Sequence, residues 1–119
     1  MAKILIIDDD PQIRRLIDRI LSAEGHEIVA AQDGNDGLRR FRADRPALVI
    51  SDLLMPEKEG IETIIEIRRE APTIPILAIS GDGGGTFLDI ATKLGATRAL
   101  AKPFRSAELI EAVNQLLEA

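Results

Sequence analysis

The sequence of 119 residues contains no cysteine, tryptophan or tyrosine, and only three phenylalanines. Without cysteine, the chain has no disulfide, no thiolate metal ligand and no cysteine nucleophile. Its apolar runs are a few residues long, well short of the roughly 20 residues that cross a bilayer, and Met1 leads directly into charged sequence rather than a signal peptide. We therefore expect no contact with a membrane.

An excess of positive charge is also missing. The chain has 15 Lys and Arg against 20 Asp and Glu, which gives a net charge of −5. Proteins that bind the phosphate backbone of nucleic acids need clustered basic residues. The charge balance therefore argues against direct binding to nucleic acid.

The composition is that of a folded domain, with 45% hydrophobic and 29% charged residues. A chain of this length is typical of one domain. We expect a single domain over residues 1–119 and no output domain, because one helical segment follows the last predicted strand.

Five short apolar runs alternate with five segments of helical periodicity. The runs are Lys3–Ile7, Glu27–Ala31, Ala47–Ser51, Pro75–Ser80 and Arg98–Ala101. The first predicted helix extends from Pro11 to Gly25, and the second begins after Asn35 and ends before Pro46. The others are predicted over Gly60–Glu70, over Phe87–Leu94, and from a Ser106 cap to Leu117. Strict alternation predicts an α/β fold with a doubly wound five-stranded parallel sheet. Five units are too few for an eight-stranded barrel.

The residues at the carboxyl ends of four of these strands include most of the candidate polar groups. They are Asp8, Asp9 and Asp10 after the first strand, Ser51 and Asp52 at the third, Ser80 and Gly81 at the fourth, and Lys102 and Pro103 after the fifth. The carboxyl ends of parallel strands meet at one edge of the sheet, where ligands of such folds bind. We therefore expect several carboxylates, a hydroxyl and an ammonium group to lie close together.

The carboxylates indicate a cation site. If Asp8, Asp9 and Asp52 converge, they repel one another by a few kcal/mol unless a proton or a cation intervenes. Oxygen-only ligands suit a hard divalent cation such as Mg²⁺, or alternatively Mn²⁺. Helix capping accounts for Asp10, but not for an aspartate at the end of a second buried strand.

Asp52 is the candidate nucleophile of this edge. A carboxylate beside a bound cation can attack phosphorus and form an aspartyl phosphate. The Lys102 ammonium suits the phosphoryl oxygens as a point charge, and the Ser80 hydroxyl with the Gly81 N–H would complete the oxygen shell. The predicted chemistry is phosphoryl transfer, which depends mainly on alignment and charge stabilisation.

Over essentially all of its length, the chain resembles a response regulator receiver domain, the phospho-accepting module of two-component signalling, as in chemotaxis regulators. The matching motifs are Ile6-Ile7-Asp8-Asp9-Asp10, Ser51-Asp52-Leu53-Leu54-Met55-Pro56 with Gly60 following, Ser80, and Lys102-Pro103-Phe104. The resemblance implies a flavodoxin-like (βα)5 fold with strand order 2-1-3-4-5. It also implies that Asp52 is the phosphoacceptor, that Asp8, Asp9, Asp52 and the Leu54 carbonyl hold Mg²⁺, and that Ser80 and Lys102 bind the phosphoryl group. The Lys102–Pro103 peptide bond is expected to be cis.

The resemblance further implies the partners. The phosphoryl donor would be a phosphohistidine on a sensor histidine kinase or a histidine phosphotransfer protein, and the target an unknown downstream protein. We expect a cytoplasmic stand-alone receiver, monomeric or dimerising on phosphorylation, that is a phosphoprotein switch and not a turnover enzyme.

Ala99 departs from the family pattern, which usually has Tyr or Phe three residues before the lysine. In the family this ring swings inward when the phosphoryl group is bound, so the readout of the signal must differ here. A degenerate receiver that acts as a constitutive interaction module is one alternative. A small aspartate-nucleophile phosphatase, suggested by Asp8-x-Asp10, is a weaker one, because Pro11 follows and the chain is short. A flavin carrier of the same fold is disfavoured by the aspartates after the first strand.

Overall fold

Five parallel strands form one sheet. The computed structural model describes residues 2–53, 60–81, 89, 92–93 and 95–118. The strands are β1 (Lys3–Ile7), β2 (Glu27–Ala31), β3 (Leu48–Asp52), β4 (Ile76–Ser80) and β5 (Arg98–Ala101). They pair in the order β2-β1-β3-β4-β5, with every pair parallel. The predicted fold class and strand order are confirmed.

Four helices are described in full. They are α1 (Pro11–Ala23), α2 (Gly34–Asp44), α3 (Gly60–Glu70) and α4 (Ser106–Glu118). The helix predicted over Phe87–Leu94 falls mainly outside the described residues. Within the described ranges, no helix combines the length and the apolar character needed to cross a membrane.

Capping side chains set where the first two helices begin. The Asp10 carboxylate accepts a hydrogen bond from the Gln12 N–H at 2.8 Å, and Pro11 occupies the first turn, where its missing N–H has no cost. For α2 the cap is Asp33, which accepts from the Asp36 N–H at 2.8 Å. The helix therefore begins at Gly34 and includes Asn35, whereas the sequence predicts a start after Asn35, because the Asp33 carboxylate satisfies a free N–H of the first turn.

The core forms two layers, one on each face of the sheet. Alternate residues of each strand point to opposite faces, so β1 contributes Leu5 and Ile7 to one layer and Ile4 and Ile6 to the other. The first layer lies against α2 and α3 and includes Leu38, Phe41, Ile64 and Ile67. The second lies against α1 and α4 and includes Ile17, Leu21, Leu109, Val113 and Leu116. Burial on both faces explains the continuous apolar runs of β1 and β4.

The third strand lies one residue later than predicted, at Leu48–Asp52 rather than Ala47–Ser51. Its ladder with β4 continues to the pair Asp52 and Ile79, so Asp52 is part of the sheet. The start of α3 packs directly against this strand end. A Cβ placed on Gly60 would lie 1.8 Å from the Asp52 carbonyl oxygen, so only glycine fits there. The backbone of Asp52 therefore pairs with β4 on one side and contacts the start of α3 on the other.

Candidate functional site

Two aspartates and a lysine meet at the carboxyl edge of the sheet. Asp8 follows β1, Asp52 ends β3 and Lys102 follows β5. The Lys102 Nζ lies 3.1 Å from Asp8 Oδ2 and 3.5 Å from Asp52 Oδ1. The ammonium group therefore bridges the two carboxylates in this structure.

A third carboxylate completes the acidic cluster. One oxygen from each of Asp8, Asp9 and Asp52 lies within 4.8 Å of the others. Asp8 is fully buried and Asp52 is 5% exposed, whereas Asp9 is exposed to solvent. A set of oxygen ligands with one open side fits Mg²⁺, which is commonly held by one or two carboxylates and retains water.

Burial makes the two inner carboxylates difficult to ionise. The pKa of Asp52 is raised to about 6, first by burial and then by the negative charge of Asp8, while the charge of Lys102 opposes the rise. The pKa of Asp8 is also raised by burial, against the hydrogen bond from the Asp10 N–H and the attraction of Lys102. Close to neutral pH this cluster is therefore short of positive charge.

Lys102 is the main compensating charge. Burial alone would lower its pKa, but attraction to Asp8 and Asp52 outweighs burial and raises it. Its backbone is fixed by a hydrogen bond from the Lys102 N–H to the Ser80 carbonyl oxygen, at 2.9 Å. Because its pKa is raised, the lysine remains protonated beside the carboxylates. The Lys102–Pro103 peptide bond that follows is cis.

Ser80 and Gly81 lie at the adjoining end of β4. Ser80 is fully buried and comes one residue after Ile79, the register partner of Asp52. A Cβ on Gly81 would lie 3.3 Å from the Lys102 Cβ, so the glycine backbone packs against the lysine stem. The fourth strand thus brings a hydroxyl and a backbone N–H to the edge that carries Lys102.

The turn between β1 and α1 is braced by contacts that the sequence did not predict. Asp8 Oδ1 accepts a hydrogen bond from the Asp10 N–H at 2.9 Å. The Asp8 carbonyl oxygen accepts another from Arg14 Nη1, at 2.6 Å. Arg14 was absent from the predicted site. The available signal is its position one helical turn after Asp10, which brings its side chain back over the acidic turn.

Leu54, expected to offer its carbonyl to a metal, lies outside the described residues. Ala99 lies inside β5, half-buried, with Ala78 as its register partner. Two small side chains therefore stand side by side at the position where an aromatic ring would be expected.

In sequence, the chain is similar to known regulatory proteins over nearly its whole length. A family model described as the response regulator receiver domain matches residues 4–114. The transcriptional regulatory protein GlrR of Escherichia coli is 34% identical over 117 residues, which are 98% of this chain and 26% of that protein. The probable transcriptional regulator ycf27 of Cyanophora paradoxa is 36% identical over 115 residues, 97% of this chain and 48% of that protein. The chain thus spans a quarter to a half of these curated relatives.

Solved structures are similar over nearly the full length. The receiver domain of NtrX from Brucella abortus superposes with a TM-score of 0.94 at 34% identity, covering 98% of each chain. The chemotaxis protein CheY4 of Vibrio cholerae gives a TM-score of 0.92 at 30% identity, covering 98% of this chain and 99% of that one.

Proposed function

Since this chain belongs to the response regulator receiver domain family, we propose that Asp52 accepts a phosphoryl group and that the modified domain signals through a protein partner. The donor would be a phosphohistidine on a sensor histidine kinase or a histidine phosphotransfer protein. The observation that carries the proposal is the juxtaposition of Asp52, Asp8 and Lys102. A buried carboxylate with a raised pKa lies 3.5 Å from an ammonium group and within 4.8 Å of further carboxylate oxygens.

In the proposed reaction, a carboxylate oxygen of Asp52 attacks phosphorus. The new O–P bond forms as the P–N bond of the phosphohistidine breaks, and the departing imidazole nitrogen keeps the bonding electron pair. Only the ionised form of Asp52 can attack, and its pKa of about 6 leaves most of it ionised at neutral pH. Because Asp52 is part of the β3 ladder, its attacking oxygen is held by the sheet and not by a loop.

Lys102 would change partners during transfer. In this structure its ammonium contacts Asp8 and Asp52. An incoming phosphoryl group attached to Asp52 would present new oxygens to the same ammonium, which can follow them on its flexible stem. We assign the Ser80 hydroxyl and the Gly81 N–H to the remaining phosphoryl oxygens, since both lie at the end of β4 next to the lysine.

Asp8, Asp9 and Asp52 would hold the divalent cation that the donor set fits. Bound there, Mg²⁺ or Mn²⁺ would neutralise charge on the carboxylates and on the transferred phosphoryl group. Asp8 is held for this role by the Asp10 N–H, which donates to its carboxylate, and by Arg14 Nη1 of α1, which donates to its carbonyl oxygen. Asp9 is the solvent-facing member of the set.

Labelling with a small phosphodonor tests the proposal. The protein is incubated with acetyl phosphate and Mg²⁺, and intact-mass spectrometry is expected to show one added phosphoryl group of about 80 Da. Asp52→Asn is expected to remain unlabelled, and Asp18→Asn, a change at an exposed carboxylate of α1, to label like the wild type. Equal labelling of Asp52→Asn, or no labelling of the wild type, would contradict the proposal.

A constitutive interaction module is the second candidate, and Ala99 is the observation that favours it. Ala99 and its register partner Ala78 provide no ring that could move when the phosphoryl group binds. Amide hydrogen exchange across β4 and β5, with and without acetyl phosphate, separates the two candidates. Altered protection supports a switch that works without the ring, whereas labelling of Asp52 with unchanged exchange supports the constitutive module.

A further inference from the structure

Arg14 of α1 makes an unusual contact for a basic residue beside an acidic cluster. Its side chain is half-buried, and its Nη1 donates a hydrogen bond of 2.6 Å to the Asp8 backbone carbonyl oxygen. In the described part of the chain, Arg14 forms no ion pair with a carboxylate. Its positive charge is therefore directed at a peptide group and not at one of the three aspartate side chains.

That peptide group joins Asp8 to Asp9, the first two of the three aspartates that follow β1. The Asp8 N–H makes the last ladder contact with β2, to the Ala31 carbonyl oxygen at 3.1 Å. Beyond this point, the orientation of the Asp8–Asp9 peptide plane determines where the Asp9 side chain leaves the chain. A charge-assisted hydrogen bond from Arg14 fixes that plane, because rotating the peptide would break a short and strong contact.

Arg14 also leaves the carboxylate oxygens available. Lys102 contacts one oxygen of Asp8 and one of Asp52, so it must yield when a cation or a phosphoryl group binds. The Arg14 contact involves a backbone carbonyl and none of the carboxylate oxygens that could hold a cation. It can therefore persist unchanged whether a cation is present or not.

We propose that Arg14 is a positioning residue of the cation site: by holding the Asp8 carbonyl, it orients the Asp8 and Asp9 carboxylates toward a common divalent cation. This inference deepens the proposed function and rests on it for the role of that cation. Groups that orient metal ligands through a second contact commonly change metal affinity by about 10- to 100-fold when removed.

The first test measures Mg²⁺ binding to the unphosphorylated protein by isothermal titration calorimetry. Arg14→Met is expected to weaken Mg²⁺ binding by about tenfold, the lower end of that range. Arg15→Met is the matched control, since Arg15 is the adjacent residue of the same helix and is exposed. Its Mg²⁺ affinity is expected to equal that of the wild type.

Repulsion between a guanidinium and a divalent cation acts in the opposite direction. If this repulsion dominated, Arg14→Met would bind Mg²⁺ more tightly, and the difference would disappear at about 0.5 M salt, where the screening length is only a few ångströms. The positioning role predicts weaker binding that persists at high salt. Tighter binding by Arg14→Met, or affinity within twofold of the wild type, would overturn the proposal.

Arg14→Lys provides a second variant that keeps the charge and the helix propensity. It is expected to bind Mg²⁺ with intermediate affinity, because an ammonium group on a flexible stem would hold the Asp8 carbonyl less firmly than the planar guanidinium does. Should Arg14→Met fail to fold, wild-type affinity of the lysine variant refutes the fixed-peptide argument, and an intermediate value supports it.

Phosphorylation kinetics then separate this inference from the proposed function. With acetyl phosphate as donor, Arg14→Met is expected to need about tenfold more Mg²⁺ for half-maximal labelling and to reach a maximal rate within twofold of the wild type. A lower maximal rate with unchanged Mg²⁺ dependence would refute the positioning role. If the wild type binds Mg²⁺ but is never labelled, the proposed function fails while the calorimetric result for Arg14 still stands.

Discussion

Replacing Asp52 by asparagine is expected to stabilise the fold while it removes the proposed phosphoacceptor. The pKa of Asp52 in the folded protein is about 6, against an ordinary value of 3.8. Each pKa unit corresponds to about 1.4 kcal/mol of preference for the protonated form. Ionised Asp52 therefore costs the folded state up to about 3 kcal/mol in the absence of a cation. Asparagine has nearly the same shape and carries no charge.

The sign of the pH dependence follows from the raised pKa. Below pH 3.8 the carboxyl is protonated in both the folded and the unfolded chain, so the cost is absent. As the pH rises, the unfolded chain ionises first, and the cost grows until the folded group also ionises near pH 6. The stabilisation by Asp52→Asn is thus expected to be about 1–3 kcal/mol at neutral pH, roughly a third of that near pH 4.5, and close to zero below about pH 3.

Urea unfolding followed by far-ultraviolet circular dichroism measures this difference. The chain has no tryptophan or tyrosine, so helix content is a better signal than intrinsic fluorescence. The free energy of unfolding is compared at about pH 7.5 and about pH 4.5 without divalent cations. Asp18→Asn, at an exposed position, is expected to change it by less than about 0.5 kcal/mol.

Two results would refute the reasoning. One is an Asp52→Asn protein that is no more stable than the wild type at neutral pH, which would mean that the buried carboxylate carries no electrostatic cost. The other is an equal stabilisation at both pH values, which would assign the gain to something other than ionisation. Mg²⁺ is expected to reduce the stability difference between the two proteins at neutral pH, because a cation held by Asp8, Asp9 and Asp52 would stabilise the wild-type fold.

Two further substitutions test the residues that surround Asp52. Lys102→Met is expected to lower the free energy of unfolding by about 1–3 kcal/mol at neutral pH, because it leaves Asp8 and Asp52 without their ammonium partner. Measured by urea unfolding, most of this loss is expected to disappear near about pH 4.5, where the buried carboxyls are protonated. A loss that does not depend on pH would contradict the prediction. Gly60→Ala is expected to cost roughly 2–3 kcal/mol, since its Cβ would overlap the Asp52 carbonyl oxygen. Gly37→Ala, where the nearest atoms belong to the flexible Ile7 side chain, is the control and should cost less in the same assay.

The strands could be predicted almost to the residue, because each of the central ones is a continuous apolar run. In a parallel sheet both faces are covered by helices, so β1 and β4 carry no alternation that could be confused with a surface strand. The end of β3 was harder to predict. Its last residue is Asp52, and nothing in the composition of that residue says that the ladder with β4 continues through it.

The start of α2 shows a second limit. Asn35 and Asp33 are both good capping residues, and the sequence alone does not decide between them. The structure does so through the hydrogen bond from the Asp36 N–H to the Asp33 carboxylate.

The acidic cluster could be predicted from strand ends. For Arg14, the sequence offers only its spacing of one helical turn from Asp10, which does not determine the atom that its side chain contacts. Arg14 and Arg15 are the same residue type at adjacent positions of α1. One reaches the Asp8 carbonyl and the other is exposed. The rotation of the helix about its axis determines which of them faces the acidic turn, and that rotation is set by packing of the apolar face against the sheet. The raised pKa of Asp52 could not be predicted from the sequence either, because it depends on burial and on the distances to Asp8 and Lys102 in the folded chain.

The ion pair between Lys102 and Asp8 joins positions 94 residues apart. One partner follows β1 and the other follows β5, which lies at the edge of the described sheet and pairs there with β4. A chain that has folded its first four strands holds the buried aspartates without the ammonium that compensates them. The acidic cluster and its lysine are therefore complete only after β5 has docked on β4. Under the proposed function, competence for phosphorylation of Asp52 would thus report on the integrity of the whole sheet.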